Sequence, residues 1–402
     1  MANALDGIRV IDLTVWFQGP VAAQHLADFG AEVIKVERPQ GGDLARGVRS
    51  IKAVPVGDWN QYFLVINRNK KSMAVDLKEE RGREILHKLV KESDVFLSNL
   101  SPKNLAAWDL SYEQLHDINP RLVYAMTTGY GPHGEITKPS FDMTVQALTG
   151  VMARQGEPGQ PPIYLGMGSG DAIGGLMAAL GILLALHHRD ATGFGQYIDA
   201  SLYGAQLFLG APSLQGYLAG DESLARQRSR KDAPNPLRNT YEADDGWLMF
   251  AMDNSDENWS KLSGTMNDER LAADARFASP EQRETNNEAL IAALDAALAQ
   301  RTVDEWMSDW EPLGLPIRPI ANLQDLADDP QAWENDYFVD AYCEEVQRDV
   351  KVRGLPIGLS KTPGSVRTLG PELGQHTEEI LTETLGYTWD QVVELKEQGA
   401  IL

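Results

Sequence analysis

Cysteine is almost missing from this chain: Cys343 is the only one. One thiol excludes an intramolecular disulfide and any zinc site built on cysteines, and it fits a reducing compartment, so a cytoplasmic location is expected. Positive charge is scarce as well. Against 58 acidic residues stand 36 Lys and Arg, giving a formal net charge of −22. A field of that sign repels nucleic acid and anionic membranes, so neither is an expected partner. A small anionic ligand would need Arg and Lys placed locally. Long apolar runs are lacking too. The longest, residues 172–186, falls short of the roughly 20 residues of a membrane helix and contains Gly174, Gly175 and Gly181, so a buried core helix is expected there. The first seven residues lack the basic and apolar regions of a secretion signal, and none is expected. No internal repeat or low-complexity segment is present.

What the chain does contain is alternation. Its 402 residues exceed one ordinary domain, so two are expected, and 43% hydrophobic content allows a substantial core. Residues 8–15 read as a strand, Pro20 suits the first turn of a helix ending at Gly30, and residues 31–37 read as the next strand. This is the sequence form of a parallel βαβ crossover. Glu37 lies where a dinucleotide enzyme places its ribose-binding acid, but the first turn lacks G-x-G-x-x-G, which argues against NAD. Further strands are expected at 72–77, 94–100, 122–128 and 196–201, with a helix over 79–92 between the first two. Ligands of such sheets sit beyond the carboxyl ends of the strands. Gln18, Arg38, Lys78 and Asn99 all fall there.

The chemistry centres on Tyr164-Leu165-Gly166-Met167-Gly168-Ser169-Gly170-Asp171, which precedes an apolar helical stretch at 176–186. An acid at a helix mouth is held ionised and oriented by unpaired N–H groups and the positive end of the helix dipole. The plain alternative is an N-cap, worth about 1 kcal/mol. Glycines at 166, 168, 170, 174 and 175 remove side chains around the acid and would let a ligand approach closely. Near the C-terminus His376 precedes Thr377-Glu378-Glu379 and reads as a helix-start residue rather than a base.

This stretch, together with Leu5 to Leu13, Gly19-Pro20, Leu26 to Pro39 with Gly42-Asp43, Asn67-Arg68-Asn69-Lys70-Lys71-Ser72 and Gly129-Tyr130-Gly131-Pro132, resembles the class III coenzyme A transferases, the family of formyl-CoA transferase and the carnitine-type transferases. The resemblance covers almost the whole chain. It implies an α/β fold with a Rossmann-like large domain on a parallel sheet and a smaller α+β domain. It also implies a homodimer whose two chains interlock as rings. The expected divisions are residues 1–220 for the first part of the large domain, 221–239 as linker, 240–320 as small domain and 321–402 as a return segment.

By the same resemblance Asp171 is the catalytic nucleophile, Gln18, Arg38, Lys78 and Asn99 contact CoA, and Phe17, Phe141 and Asp142 are substrate-site candidates. The related α-methylacyl-CoA racemases carry His-Asp where this chain has Phe141-Asp142, which disfavours racemisation. The family's transferases usually have Tyr before the acid, so a hydroxyl is lost at Phe141. Formyl-CoA transferase has a tetraglycine loop where this chain has Met252 to Trp259, which argues against formyl and oxalyl substrates.

The implied reaction moves CoA from an acyl-CoA to a carboxylic acid. Asp171 attacks the thioester to give an anhydride, and returning thiolate gives an aspartyl-CoA from which the acceptor takes CoA. Backbone N–H groups of the glycine-rich turn are the expected oxyanion donors. Acyl-CoA is a substrate here. No metal and no permanently bound cofactor is expected.

Overall fold

The computed structural model describes residues 3–52, 57–136, 138–166, 168–266 and 268–402. Six short strands rich in Val, Ile, Leu and Ala form one sheet: β1 (Arg9–Leu13), β2 (Glu32–Glu37), β3 (Lys71–Ala74), β4 (Val95–Ser98), β5 (Val123–Thr128) and β6 (Tyr197–Ser201). Every pairing is parallel and the order is β3-β2-β1-β4-β5-β6. The strand order reverses between β1 and β4, which makes the carboxyl ends of those two strands the topological switch point where such sheets hold ligands.

Alternating side chains of the strands feed two cores, as a sheet covered on both faces requires. Val10, Val33, Val95, Leu97, Val123 and Ala125 pack with two helices, α1 (Gln18–Asp28) and a long central helix. Ile11, Leu13, Ile34, Phe96 and Tyr124 face the other way, into a second cluster with residues of the helix Glu80–Lys91. Helix α2 (Asp142–Leu148) precedes the central helix α3 (Ser169–Thr192), and α4 (Leu202–Leu209) follows β6.

Helix α3 is 24 residues long, well beyond the stretch 176–186, and by length and composition it could cross a membrane. The count over 172–186 misses this because glycine and the polar ends 169–171 and 187–192 continue the helix. In the fold Ala178, Ala179, Ile182, Ala185 and Leu186 are buried against the sheet and α1. Close approach of the helices explains Gly174 and Gly175. A Cβ at Gly174 would stand 2.7 Å from the Gln18 amide nitrogen, and one at Gly175 2.8 Å from the Gln18 carbonyl. These two glycines therefore serve helix packing rather than ligand access.

The chain separates into two compact units, one of residues up to Met152 with Tyr164–Leu214 and Pro330–Leu402, the other of Ala153–Ile163 and Gln215–Asp329. Residues 221–239 lie within the second unit, where they form two 3-10 turns, and 330–402 return to the first. The second unit holds a three-stranded antiparallel sheet, β7 (Thr240–Glu242), β8 (Trp247–Phe250) and β9 (Ile317–Pro319), with β7 and β8 joined through Asp245-Gly246. Its core is aromatic: Tyr241, Phe250, Trp259, Trp306 and Trp310 are all buried. Two helices, Pro280–Thr285 and Asn287–Leu298, meet at Asn286. Residues 252–259 run into the helix Asp256–Thr265, and buried Arg283 pins Asn254 through its side chain at 2.7 Å and its carbonyl at 3.1 Å.

Candidate active site

Helix α3 begins without a side-chain cap of its own. Its N-cap is Gly168 at φ 80°, a left-handed conformation that favours glycine, so Asp171 stands inside the first turn and is not the cap. The capping is done from α2. Asp142 accepts from the Gly168 and Gly170 N–H groups at 2.9 and 3.1 Å, and also from the side-chain amides of Gln146 at 3.1 Å and Gln206 at 3.0 Å. Four donors on one carboxylate explain why Gly170 has no side chain, since a Cβ there would stand 2.0 Å from the Gln206 amide and 2.4 Å from Asp142 Oδ1. Two backbone donors of the glycine-rich turn are thus occupied by Asp142, so they are not the free oxyanion donors expected from the sequence.

Asp171 is the opposite case. Its carboxyl is withdrawn from solvent but takes part in no hydrogen bond or ion pair among the described residues. Burial, with the nearby charge of Asp142 adding to it, pushes its pKa up to about 7. Desolvation also raises Asp142, against the pull of its donors. Two phenols surround the pair. Tyr62 packs its ring against Phe17, centroids 5.6 Å apart, and burial and the charge of Asp171 raise its pKa. Tyr164 lies close enough to Asp142 to lower the acid's pKa, yet its buried oxygen completes no well-aligned hydrogen bond. Phe17 meets the glycine-rich turn directly, its ring about 3.3 Å from where a Cβ of Gly168 would be.

Phe17 is delivered by the loop between β1 and α1, and that loop is held by buried charge. Asp12 accepts from the Thr14 N–H at 3.1 Å, and Lys35 donates to the Thr14 carbonyl at 2.8 Å. Asn99 clamps both backbone groups of Val15, accepting at 2.9 Å and donating at 2.7 Å. Asp43 accepts from Trp16 N–H at 3.1 Å, and Lys70 donates to the Pro20 carbonyl at 2.9 Å. The charges pair among themselves, Lys35 with Asp43 at 2.9 Å and Lys70 with Asp12 at 2.8 Å, all four side chains at 0% exposure. Held at so many points, Trp16 adopts φ 70°, a strained conformation for a residue with a bulky side chain.

Of the four CoA candidates the fold gives two different kinds. Gln18 is buried and donates to the Ala200 carbonyl at 3.0 Å, and Asn99 is spent on Val15, so both shape the switch point. Arg38 and Lys78 are exposed just past β2 and β3. Arg38 Nε donates to the Gly42 carbonyl at 3.1 Å, and the Lys78 ammonium has no partner among the described residues. Glu37 is buried, bound to Arg46 and Ser72, and unable to serve a ribose. Phe141 is more than half exposed, outside the hydrogen bonds of Asp142. His376 accepts from the Ser72 N–H at 3.2 Å and packs at a helix start. No cluster of three or more metal-ligating side chains exists among the described residues.

Sequence reasoning missed Tyr62, Tyr164, Gln146 and Gln206. Tyr62 carries no motif, and Tyr164 opens the glycine-rich stretch but has no role assigned to it by the sequence. Gln146 is buried, with its oxygen accepting from Leu165 N–H at 3.1 Å.

A doubly covered parallel sheet with a carboxylate at the mouth of the helix before β6 defines a nucleotide-type α/β fold. CoA-transferase family III matches residues 5–377, and the chain belongs to that family. It is 33% identical to the succinyl-CoA–D-citramalate CoA-transferase of Chloroflexus aurantiacus, over 99% of this chain and 98% of that one. An acyl-CoA transferase of Fusarium pseudograminearum is 35% identical over 99% of this chain and 88% of its own. The crystal structure of a CaiB/BaiF family protein from Brucella suis superposes with a TM-score of 0.85 at 32% identity, covering 95% of this chain and all of that one. The chain is accordingly a CoA-transferase.

Proposed function

We propose that the protein moves CoA from an acyl-CoA thioester to a carboxylic acid through an anhydride and then a thioester formed on Asp171. The observation that carries this is the half-buried Asp171 carboxyl, set in the first turn of α3 with no cation and no hydrogen-bond donor upon it among the described residues. A carboxylate that is poorly solvated and unpaired is a strong nucleophile, and attack on a thioester requires no proton transfer. Its pKa of about 7 makes the ionised fraction rise through neutral pH. Exposed Arg38 and Lys78, past the neighbouring strands β2 and β3, suit the phosphates of CoA, with Gln18 and Asn99 past β1 and β4 at the switch point.

The donor named for the Chloroflexus relative is succinyl-CoA, and we take it as the first donor to test, with small dicarboxylic and hydroxycarboxylic acids as acceptors. Racemisation is the weaker reading, because the position before Asp142 is an exposed Phe141 and offers no base. The working form we propose is a homodimer in the cytoplasm. Leu176, Leu180, Leu183 and Leu184 of α3 and Phe208 and Leu209 of α4 are large apolar side chains left exposed, of the kind that a partner surface covers.

A panel of acyl-CoA donors and acids, followed by hydroxylamine trapping and peptide mapping, tests the reaction. The expected result is exchange of CoA with modification at Asp171 alone. Modification at Asp142 or Asp199, or CoA binding with no exchange, overturns it. Sedimentation at nanomolar concentration tests the dimer, which a folded, active 44.3 kDa species would refute.

A further inference from the structure

Gln206 is the one amide in the α4 run Leu202-Tyr203-Gly204-Ala205-Gln206-Leu207-Phe208-Leu209, and it is fully buried. A buried amide costs free energy unless its hydrogen bonds are made, and leucine would serve helix packing as well, so the amide needs a reason. Its Nε2 donates to Asp142 Oδ1 at 3.0 Å, the only end that can face an acceptor-only carboxylate, and its Oε1 lies 3.2 Å from the Thr149 hydroxyl. The chain makes room for this contact, since a Cβ at Gly170 would stand 2.0 Å from Nε2. The same Oδ1 accepts from Gly170 N–H at 3.1 Å, while Oδ2 accepts from Gly168 N–H at 2.9 Å and from Gln146 at 3.1 Å. A second helix of the chain shows what these bonds prevent. In Leu323–Ala327 the third residue, Asp325, folds back and accepts from the N-cap N–H of Asn322 at 2.8 Å. Asp171 is likewise the third residue of α3, but the N-cap N–H it would reach, that of Gly168, is given to Asp142.

We propose that Gln206 is a positioning residue for the reaction: it holds the Asp142 carboxylate over the Gly168 and Gly170 N–H groups, so that Asp142 caps α3 and Asp171 is kept from capping its own helix. This rests on the reading of Asp171 as nucleophile. Two carboxylates stand near one helix mouth, and its N–H groups can satisfy whichever is held against them. With Asp142 fixed there from α4, the Asp171 carboxyl stays unpaired. Released, Asp142 would free the Gly168 N–H, and Asp171 would fold back onto it as Asp325 does. A carboxylate bonded in that way is stabilised in its charged form and is a weaker nucleophile.

Gln206→Leu removes the donor and keeps the bulk. With a confirmed donor and acceptor, kcat should fall about tenfold, the scale of one hydrogen bond to a charged group, with KM for acyl-CoA within about twofold because Gln206 is buried and acts through Asp142. The acid limb of kcat/KM should move to lower pH, since an Asp171 bonded to the Gly168 N–H ionises more readily. Asp142, Tyr62 and Tyr164, the titratable groups around Asp171, are all retained. Gln206→Glu is the restoring variant: its carboxyl donates to Asp142 while protonated, so activity should stay within about threefold of wild type at the acid end of the profile and fall as pH rises and the two carboxylates repel. A Leu variant with an unmoved limb, or with kcat within threefold of wild type, overturns the proposal whatever its melting temperature. So does a Glu variant whose loss is the same at every pH, and that profile decides alone if the Leu variant does not fold. If hydroxylamine leaves wild type unmodified at Asp171, the nucleophile reading fails, and with it this one. If wild type and the Leu variant are captured there at equal rates, only the role of Gln206 fails.

Discussion

The acids beneath the β1–α1 loop and the acids at the mouth of α3 are both withdrawn from water, and burial has opposite outcomes for them. Asp12 feels a burial penalty that Lys70 and Lys35 more than offset, so its pKa falls below the ordinary value. Lys35, opposed by burial but surrounded by Asp43, Asp12 and Glu37, is pushed up to about 12. Lys70 loses more to burial than Asp12 returns and drops to about 8. Every charge of this group has a partner of opposite sign. Asp171 has burial and a like charge instead, and rises to about 7. A buried acid with its counter-ion fixes backbone, whereas one without it stores free energy that chemistry can draw on.

The largest effect should come from removing the stored charge. Asp171→Asn should abolish transfer while making the fold more stable at neutral pH. The sign follows from linkage. An acid whose folded pKa is raised from 3.8 to about 7 weakens the fold progressively as pH climbs between those values, and the loss is constant above them. A shift of that size corresponds to roughly 4–4.5 kcal/mol at most, less what solvent screens. Urea denaturation across pH 4–8 should show the variant's advantage growing up to about pH 7 and then levelling. Equal stability of the two proteins throughout would mean that Asp171 is not strained.

Next comes the paired group. Lys70→Met leaves Asp12 buried beside Lys35 alone and should cost about 3–5 kcal/mol, the usual result of breaking one buried pair. Denaturant midpoints measure it, and a loss below about 1 kcal/mol would erase the contrast between the two groups of acids.

The smallest effect sharpens it. Asp142→Asn removes the like charge, although its amide nitrogen then faces two of the four donors that the carboxylate accepts from and loosens the mouth of α3, and the acid limb of kcat/KM should move to pH values below that of wild type. Asp171 should stay above its ordinary value, because desolvation is the larger cause and remains. An unmoved limb would leave desolvation as the whole explanation.

Much of this was legible in the chain. The six strands fall within the stretches expected from alternating apolar residues to within about two positions at either end, apart from β3, which ends three residues short. Asp171 was visible because glycine and acid before an apolar helix is a local pattern. Convergence in space was not. Four donors on Asp142 come from residues 146, 168, 170 and 206, and no window of sequence contains them all. The strained Trp16 was hidden too, since only the clamps from Asp43 and Asn99, distant in sequence, hold it there. The glycines were seen but partly misassigned: Gly170 makes room for Asp142, and Gly174 and Gly175 admit α1.

The charge group also imposes an order on assembly. Lys70 bonds to Asp12 across 58 residues of chain, and to the Pro20 carbonyl across 50. A chain emerging from the ribosome can form β1, α1 and β2 before Lys70 exists, but the loop carrying Phe17 then has two acids and one cation beneath it. Only when the segment leading into β3 arrives is the charge balanced and the loop set. A chain that stops short of Lys70 therefore lacks the cation that balances Asp12 and leaves the Phe17 loop without that anchor.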